Sequence, residues 1–203
     1  MDAVQARPYV SGVDVSGAQG SVDWAALVRR GDDFAYVEAT QGTTQQNPHF
    51  RQQYNGASDA RLIRGSYHVA LPDTSTAAAQ VRFFFNHGGH WSGDGQTLPP
   101  MVRLTRNPDG PNCYGRSNSA MVQWISNFSD SVRQKAGRYP VIATAAQWRK
   151  ECTGNSTGFT EKNPLFIIRH NTTPGGAAGR VAAPHVLAVQ RQWHAGQRQQ
   201  VQR

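Results

Sequence analysis

Four residues near the ends of short apolar runs have side chains that could do chemistry together: Asp14 in "SGVDVS", Glu38 in "FAYVEAT", His68 in "GSYHVA" and Arg103 in "PMVRLT". Two carboxyl groups flanking one cleft are what glycoside hydrolysis needs, one to protonate the leaving oxygen and one to handle the oxocarbenium-like centre. An imidazole moves protons near neutral pH, although a lone histidine at such a position also has an ordinary role as a hydrogen-bonded structural residue. Arginine stays protonated and holds carboxylate, sulfate or phosphate through paired N–H donors. Thr105 stands two residues past Arg103, on the same face of an extended strand, and has no proton to give near neutral pH. Asp14 and Glu38 are therefore the candidate catalytic pair. In the competing reading Glu38 only neutralises Arg103, because a buried charge without a partner is costly.

Strand-like runs at 9–16, 34–40, 63–70, 100–105, 139–145, 164–170 and 185–192 carry these residues, each bounded by Gly, Pro, Asn or Asp. Between them lie "VDWAALVRRG", "NPHFRQQYNGASDA", "TSTAAAQVRFFFNHG", "SNSAMVQWISNFSDSVRQKAG" and "AAQWRKECTG", several with apolar residues three and four apart, as in helices. Asp73 with Ser75 is the N-cap candidate before the alanine run, Ser117 or Ser119 before the long helix, and Gly137 closes that helix. Strand then helix, repeated, implies a parallel sheet. Seven or eight strands in 203 residues predict an α/β fold, a modified TIM-like β/α barrel with short or missing last helices. The expected layout is an N-terminal extension (1–8), one barrel (9–192) and a basic, Gln-rich C-terminal tail (193–203). No "GxGxxG" or "GxxxxGK" follows any strand, which disfavours an open doubly wound sheet, and no cofactor is expected. A parallel barrel carries its site at the strand C-terminal ends, which adds Gln41, Thr105, Ala143, Arg169, His170 and Gln190 to the floor and rim.

The formal charge is +8, and six basic residues with no Asp or Glu fall between Lys162 and Arg203. Anions are drawn to such a segment, but without interleaved aromatics it is a poor nucleic-acid signature, and no nucleic-acid partner is expected. Arg103, Arg106, Arg169 and Arg191 are candidates for an anion site at the barrel mouth. His87 and His90 in "HGGHW" lack a third ligand, so no metal is expected. The "FFF" run at 83–85 and Trp24, Trp124 and Trp148 read as core. No run approaches the roughly 18 apolar residues of a membrane span. The opening "MDAVQARPYV" reads as what remains after a signal or pro-segment is cut away and a start Met added. Two cysteines in turn-like settings, Cys113 and Cys152, favour a disulfide over a metal site, and Asn127, Asn155 and Asn171 head glycosylation patterns. These features together predict a secreted protein, expected to be a monomer.

Six segments, "SGVDVSGAQGSVDW", "FAYVEATQGT", "LIRGSYHVALPDTS", "HGGHWSGDGQTLP", "MVQWISNFSDSVRQKAGRYPVI" and "CTGNSTGFTEKNPLFI", jointly resemble glycoside hydrolase family 25, the Chalaropsis-type muramidases, especially their secreted fungal members. The similarity runs in order and spacing from about Val10 to Ile168. It implies a modified β/α barrel, a Cys113–Cys152 disulfide and an ancestral activity that cuts the β-1,4 bond after N-acetylmuramic acid in peptidoglycan. Family members typically read "GVDVSHYQG", "KATEG", "LDLEGNP", "VIYTT" and "FWQY" at the corresponding places. Here Asp14 keeps the first aspartate, but Gly17 and Ala18 stand for a histidine and an aromatic, Glu38 for the lysine of "KATEG" and Gln41 for its glutamate. In "VRLT" the aspartate has become Arg103 and the catalytic glutamate Thr105. Ala143 replaces a sugar-contacting tyrosine, His170 another tyrosine, and only Gln190 remains of "FWQY".

These replacements predict a lysozyme-like protein that has lost the muramidase carboxylates. It would be a non-hydrolytic pseudoenzyme with a rebuilt, more basic pocket for a glycan or a small polar or anionic ligand. One alternative is a repurposed enzyme using Asp14, Glu38, His68 and Arg103 on a polar or anionic small molecule. Another is a residual muramidase using Asp14 with Glu38.

Overall fold

The computed structural model describes residues 10–168 and, as backbone, residues 187–189 and 200–202. In chain order the elements are β1 (Val10–Val15), α1 (Trp24–Arg30), β2 (Phe34–Gln41), β3 (Gln45–Gln46), α2 (Phe50–Asp59), β4 (Ile63–Val69), α3 (Ala77–Asn86), β5 (Met101–Leu104), α4 (Asn118–Ala136), β6 (Val141–Ala145), α5 (Ala146–Thr153), β7 (Leu165–Ile168), β8 (Leu187–Val189) and β9 (Gln200–Gln202). The sheet runs β7-β6-β5-β4-β2-β1-β9-β8, with β3 hairpinned onto β2. From β7 to β1 every pairing is parallel. β8 lies alongside β7, so the sheet curls back on itself as the expected modified barrel.

Two short strands depart from the sequence reading. β9 falls inside the segment expected to be a tail and pairs antiparallel with both β1 and β8, Val201 opposite Val10. The edge of β1 presents unpaired N–H and C=O groups, and an added strand satisfies them whatever its composition. β3 closes a hairpin whose Gly42 has φ 56°, a left-handed conformation that glycine adopts at little cost.

The strands are apolar on both faces, as a covered parallel sheet requires. Facing inward are Phe34, Tyr36, Tyr67, Met101, Val141, Ala143, Phe166 and Ile168. Outward, Val102, Leu104, Ile142, Leu165 and Ile167 pack against Val81, Phe84, Met121, Trp124, Ile125 and Phe128 of α3 and α4. On the other flank Val13, Val15, Ala35 and Val37 meet Trp24, Leu27 and Ala57 of α1 and α2. A Cβ on Gly12 would stand 2.4 Å from the Phe34 ring, and one on Gly65 2.5 Å from Tyr36. The missing side chains let two aromatic rings fill the barrel interior.

Helix ends follow local chemistry. Thr76, rather than Asp73 or Ser75, caps α3 by accepting from the amide of Ala79. Ser117 caps α4, and Gly137 ends it at φ 70°. Phe84 and Phe85 are core whereas Phe83 is only half-buried, because successive helical positions rotate out of the apolar stripe. Trp24, Trp124 and Trp148 are buried as expected. The Cys113–Cys152 disulfide, with Cα atoms 5.2 Å apart, ties the connection after β5 to the last turn of α5.

Candidate active site

Towards the strand C-terminal ends the inner face turns polar. β1 supplies Asp14, β2 Glu38, β4 Tyr67 and β5 Arg103. Arg103 Nη1 donates to Asp14 Oδ2 at 3.1 Å, and the two side chains are only 16% and 8% exposed. The Arg103 guanidinium carbon lies 5.9 Å from the centre of the Tyr67 ring, within cation–π range. The Tyr67 hydroxyl donates to Glu38 Oε2 at 3.1 Å. Register explains that last contact, since Glu38 and Tyr67 are Cα partners on adjacent strands.

The expected Glu38–Arg103 neutralisation is therefore corrected in its detail: Asp14 makes the ion pair, reaching Arg103 across 89 positions of sequence. Glu38 attracts Arg103 without bonding to it. Burial raises the Glu38 pKa above the ordinary carboxylate value; the Tyr67 hydrogen bond and the Arg103 charge oppose this, and Asp14 adds to it. Burial works against the Arg103 charge, but Asp14, Tyr67 and Glu38 outweigh it and raise that pKa. Burial, then the nearby Glu38 and Asp14, lift the Tyr67 phenol well above its usual range. Chemically this is a neutral donor, a carboxyl group inclined to hold its proton and a carboxylate engaged by a guanidinium.

His68 belongs elsewhere. It is fully buried on the outer face of β4, with Nδ1 2.8 Å from Thr40 Oγ1 and Nε2 2.9 Å from Gln80 Oε1. Phe128 stacks on its ring at 5.6 Å. Burial pushes its pKa down to about 4, partly offset by Gln80, so the ring is neutral near pH 7. It ties β2 and β4 to α3 and does not enter the barrel. Strand alternation puts Tyr67, its neighbour, inside. The β2–β4 register shifts between Glu38 and Thr40. That irregularity turns Thr40 to the side of His68, and alternation then returns half-buried Gln41 to the inner face.

Ala143 lies on the inner face of β6 as the register partner of Arg103. Thr105 is half-buried just past β5, its hydroxyl 3.5 Å from the Arg106 carbonyl, while Arg106 is exposed. Arg169, His170, Gln190, Arg191 and Asn171 lie outside the described residues, so of the four arginines only Arg103 is seen within the barrel. Asn127 on α4 and Asn155 after α5 are exposed. His87 Nδ1 bonds the Phe83 carbonyl at 2.7 Å, and His90 meets the ring of Phe85 edge-on. Among the described residues no three His, Cys, Asp or Glu cluster as metal ligands, and no helix is long and apolar enough to cross a membrane. Tyr67 is the site residue that a search for strand-end polar residues misses. Its signal was the two-residue spacing of Gly65, Tyr67 and Val69 on one face.

Known proteins bear on this geometry. Residues 13–195 match the profile of glycosyl hydrolases family 25. The chain is 46% identical over 170 residues to an N,O-diacetylmuramidase of Arthroderma benhamiae, covering 84% of this chain and 72% of that protein. It is 45% identical over 174 residues to the N,O-diacetylmuramidase of Chalaropsis sp, covering 84% and 82%. A muramidase structure from Trichobolus zukalii superposes with a TM-score of 0.89 at 39% identity, covering 96% of this chain and 93% of that one. With its barrel and these relatives in agreement, the chain belongs to glycosyl hydrolase family 25.

Proposed function

We propose that this protein is a member of the family that no longer hydrolyses peptidoglycan and instead binds a glycan or a small polar or anionic ligand at the barrel mouth. The observation that carries the reading is the Asp14–Arg103 ion pair. Arg103 and Thr105 occupy the positions where the family resemblance implies an aspartate and the catalytic glutamate, and the guanidinium engages the aspartate that is left. A fixed positive charge stands where an oxocarbenium-like transition state calls for negative charge. Loss of a positioned general acid typically removes about 10²–10⁴ in rate. The disulfide and the exposed Asn127 and Asn155 fit a secreted glycoprotein.

A second reading, residual hydrolysis, is favoured by one observation: Glu38 has a raised proton affinity and feels the charge of Asp14, as a proton-donating carboxyl beside a carboxylate would. The repurposed-enzyme reading loses His68 from its set.

Release of reducing ends from purified peptidoglycan separates these readings. The proteins compared are the parent, Asp14→Asn, Glu38→Gln and the triple variant Gln41→Glu with Arg103→Asp and Thr105→Glu. The expected result is a silent parent and a triple variant that cuts. A parent that cuts, and that Asp14→Asn and Glu38→Gln each silence, overturns the binding reading in favour of the residual enzyme.

A further inference from the structure

The opposite end of the barrel carries a second constellation of charge. Four exposed cations stand at the N-terminal ends of β6 and β7 and the C-terminal end of α4: Arg133, Lys135, Arg138 and Lys162. Each is held over an aromatic ring. Arg133 and Lys162 lie 5.6 and 5.8 Å from the centre of Tyr139, Arg138 5.1 Å from Trp91, and Lys135 5.9 Å from Phe85. None of the four makes an ion pair among the described residues, although Asp130 and Glu161 border Lys162. The Trp91 indole donates to the Thr97 carbonyl at 3.0 Å, which fixes the ring. Tyr139 and Trp91 are half-buried.

We infer that this N-terminal face is a docking surface for a carboxylate-bearing polysaccharide. Guanidinium groups take carboxylates through paired N–H donors, and aromatic rings offer flat apolar surface to the C–H faces of sugars. The juxtaposition of the two at one face suits a polymer that carries an acid on a sugar ring. A phosphate polyanion without exposed rings, or a nucleic-acid duplex whose bases are stacked inside it, would use the charges and leave the aromatic rings idle. The surface is separate from the cluster around Asp14, so it would hold the protein to a matrix whatever the barrel mouth does.

The test is affinity electrophoresis of the full chain in gels containing polygalacturonate, a neutral β-glucan or double-stranded DNA. The parent is expected to be retarded by polygalacturonate with an affinity that falls as salt rises and to pass freely through the neutral glucan. Arg133→Gln with Lys135→Gln and Arg138→Gln, all exposed and so compatible with folding, should lower the affinity at least tenfold. Trp91→Ala should weaken polygalacturonate binding severalfold and leave any weak DNA retardation unchanged. An unretarded parent, retardation that survives the triple substitution, or DNA binding as strong as polygalacturonate binding and equally indifferent to Trp91 would each overturn the proposal.

Discussion

Replacing Arg103 with methionine keeps the apolar stem of the side chain and removes only the charge that engages Asp14. The pair is 3.1 Å apart, which at an effective dielectric near 20 corresponds to about 5 kcal/mol of gross attraction. Desolvation of both groups offsets much of that. Removing one partner of a buried pair still costs about 3–5 kcal/mol, because the other charge loses its ionic partner. The Arg103 side chain keeps 16% exposure, and water can reach the vacated space, so the low end applies, about 3 kcal/mol. Asp14→Asn should cost less, about 2 kcal/mol, since Glu38 still attracts the guanidinium. In the double variant no stranded charge remains from the pair. The cycle should therefore show a coupling of about 2 kcal/mol, well above the few tenths of independent sites. For a domain of this size each kcal/mol moves Tm by about 2–4 °C, which places Arg103→Met about 6–12 °C below the parent at pH 7. Calorimetry and urea unfolding of all four proteins read this directly. If Arg103→Met melts within about 2 °C of the parent, or the coupling is under about 0.5 kcal/mol, the ion pair does not hold the site together and the argument against hydrolysis loses its physical basis.

Two further outcomes follow from the same structure. Glu38 has a raised pKa, so the folded state binds its proton more tightly than the unfolded chain. It therefore costs stability as pH climbs past the unfolded carboxylate value near 4.3, a cost that becomes constant above the folded pKa. Glu38→Gln removes that cost, and its stability relative to the parent should rise between pH 4 and pH 7; a pH-independent difference in urea midpoints would contradict the assignment. The Cys113–Cys152 bridge spans 39 residues, for which loop-closure entropy gives about 4 kcal/mol as the larger bound. Cys113→Ala with Cys152→Ala should lower the urea midpoint correspondingly, and an unchanged midpoint would show that the bridge adds nothing to stability.

The barrel was legible because its cause is local. Short runs such as "FAYVEAT" and "PMVRLT" are apolar on both sides and stop at Gly, Pro, Asn or Asp, and only a covered parallel sheet accommodates a series of them. Asp14 and Arg103 were legible for the related reason that a charged residue stands out among valines and leucines. β4 shows where reading by residue type misleads. In "GSYHV" the histidine is the more chemical residue, yet alternation assigns Tyr67 to the barrel and His68 to the helix layer. Alternation alone would in turn have failed on β2, because the irregularity between Glu38 and Thr40 reverses which residues point inward. β9 had no local signature at all, since the open edge of β1 recruits it from nearly the full length of the chain away.

The pairing inside the barrel is a deeper case of the same difficulty. From the sequence, Arg103 has two candidate counter-ions, and residue type cannot choose between Asp14 and Glu38. Strand order and register do: Glu38 is level with Tyr67 and accepts its hydroxyl, which leaves Asp14 as the direct partner of Arg103. Had Glu38 taken the guanidinium, Asp14 would stand without that charge on it and a catalytic role would be the natural reading. With Asp14 engaged, the carboxyl group most inclined to carry a proton is Glu38, and the carboxylate that would have to assist it is held by a permanent cation. The inventory of charges is the same in both arrangements, and the chemistry they allow is opposite.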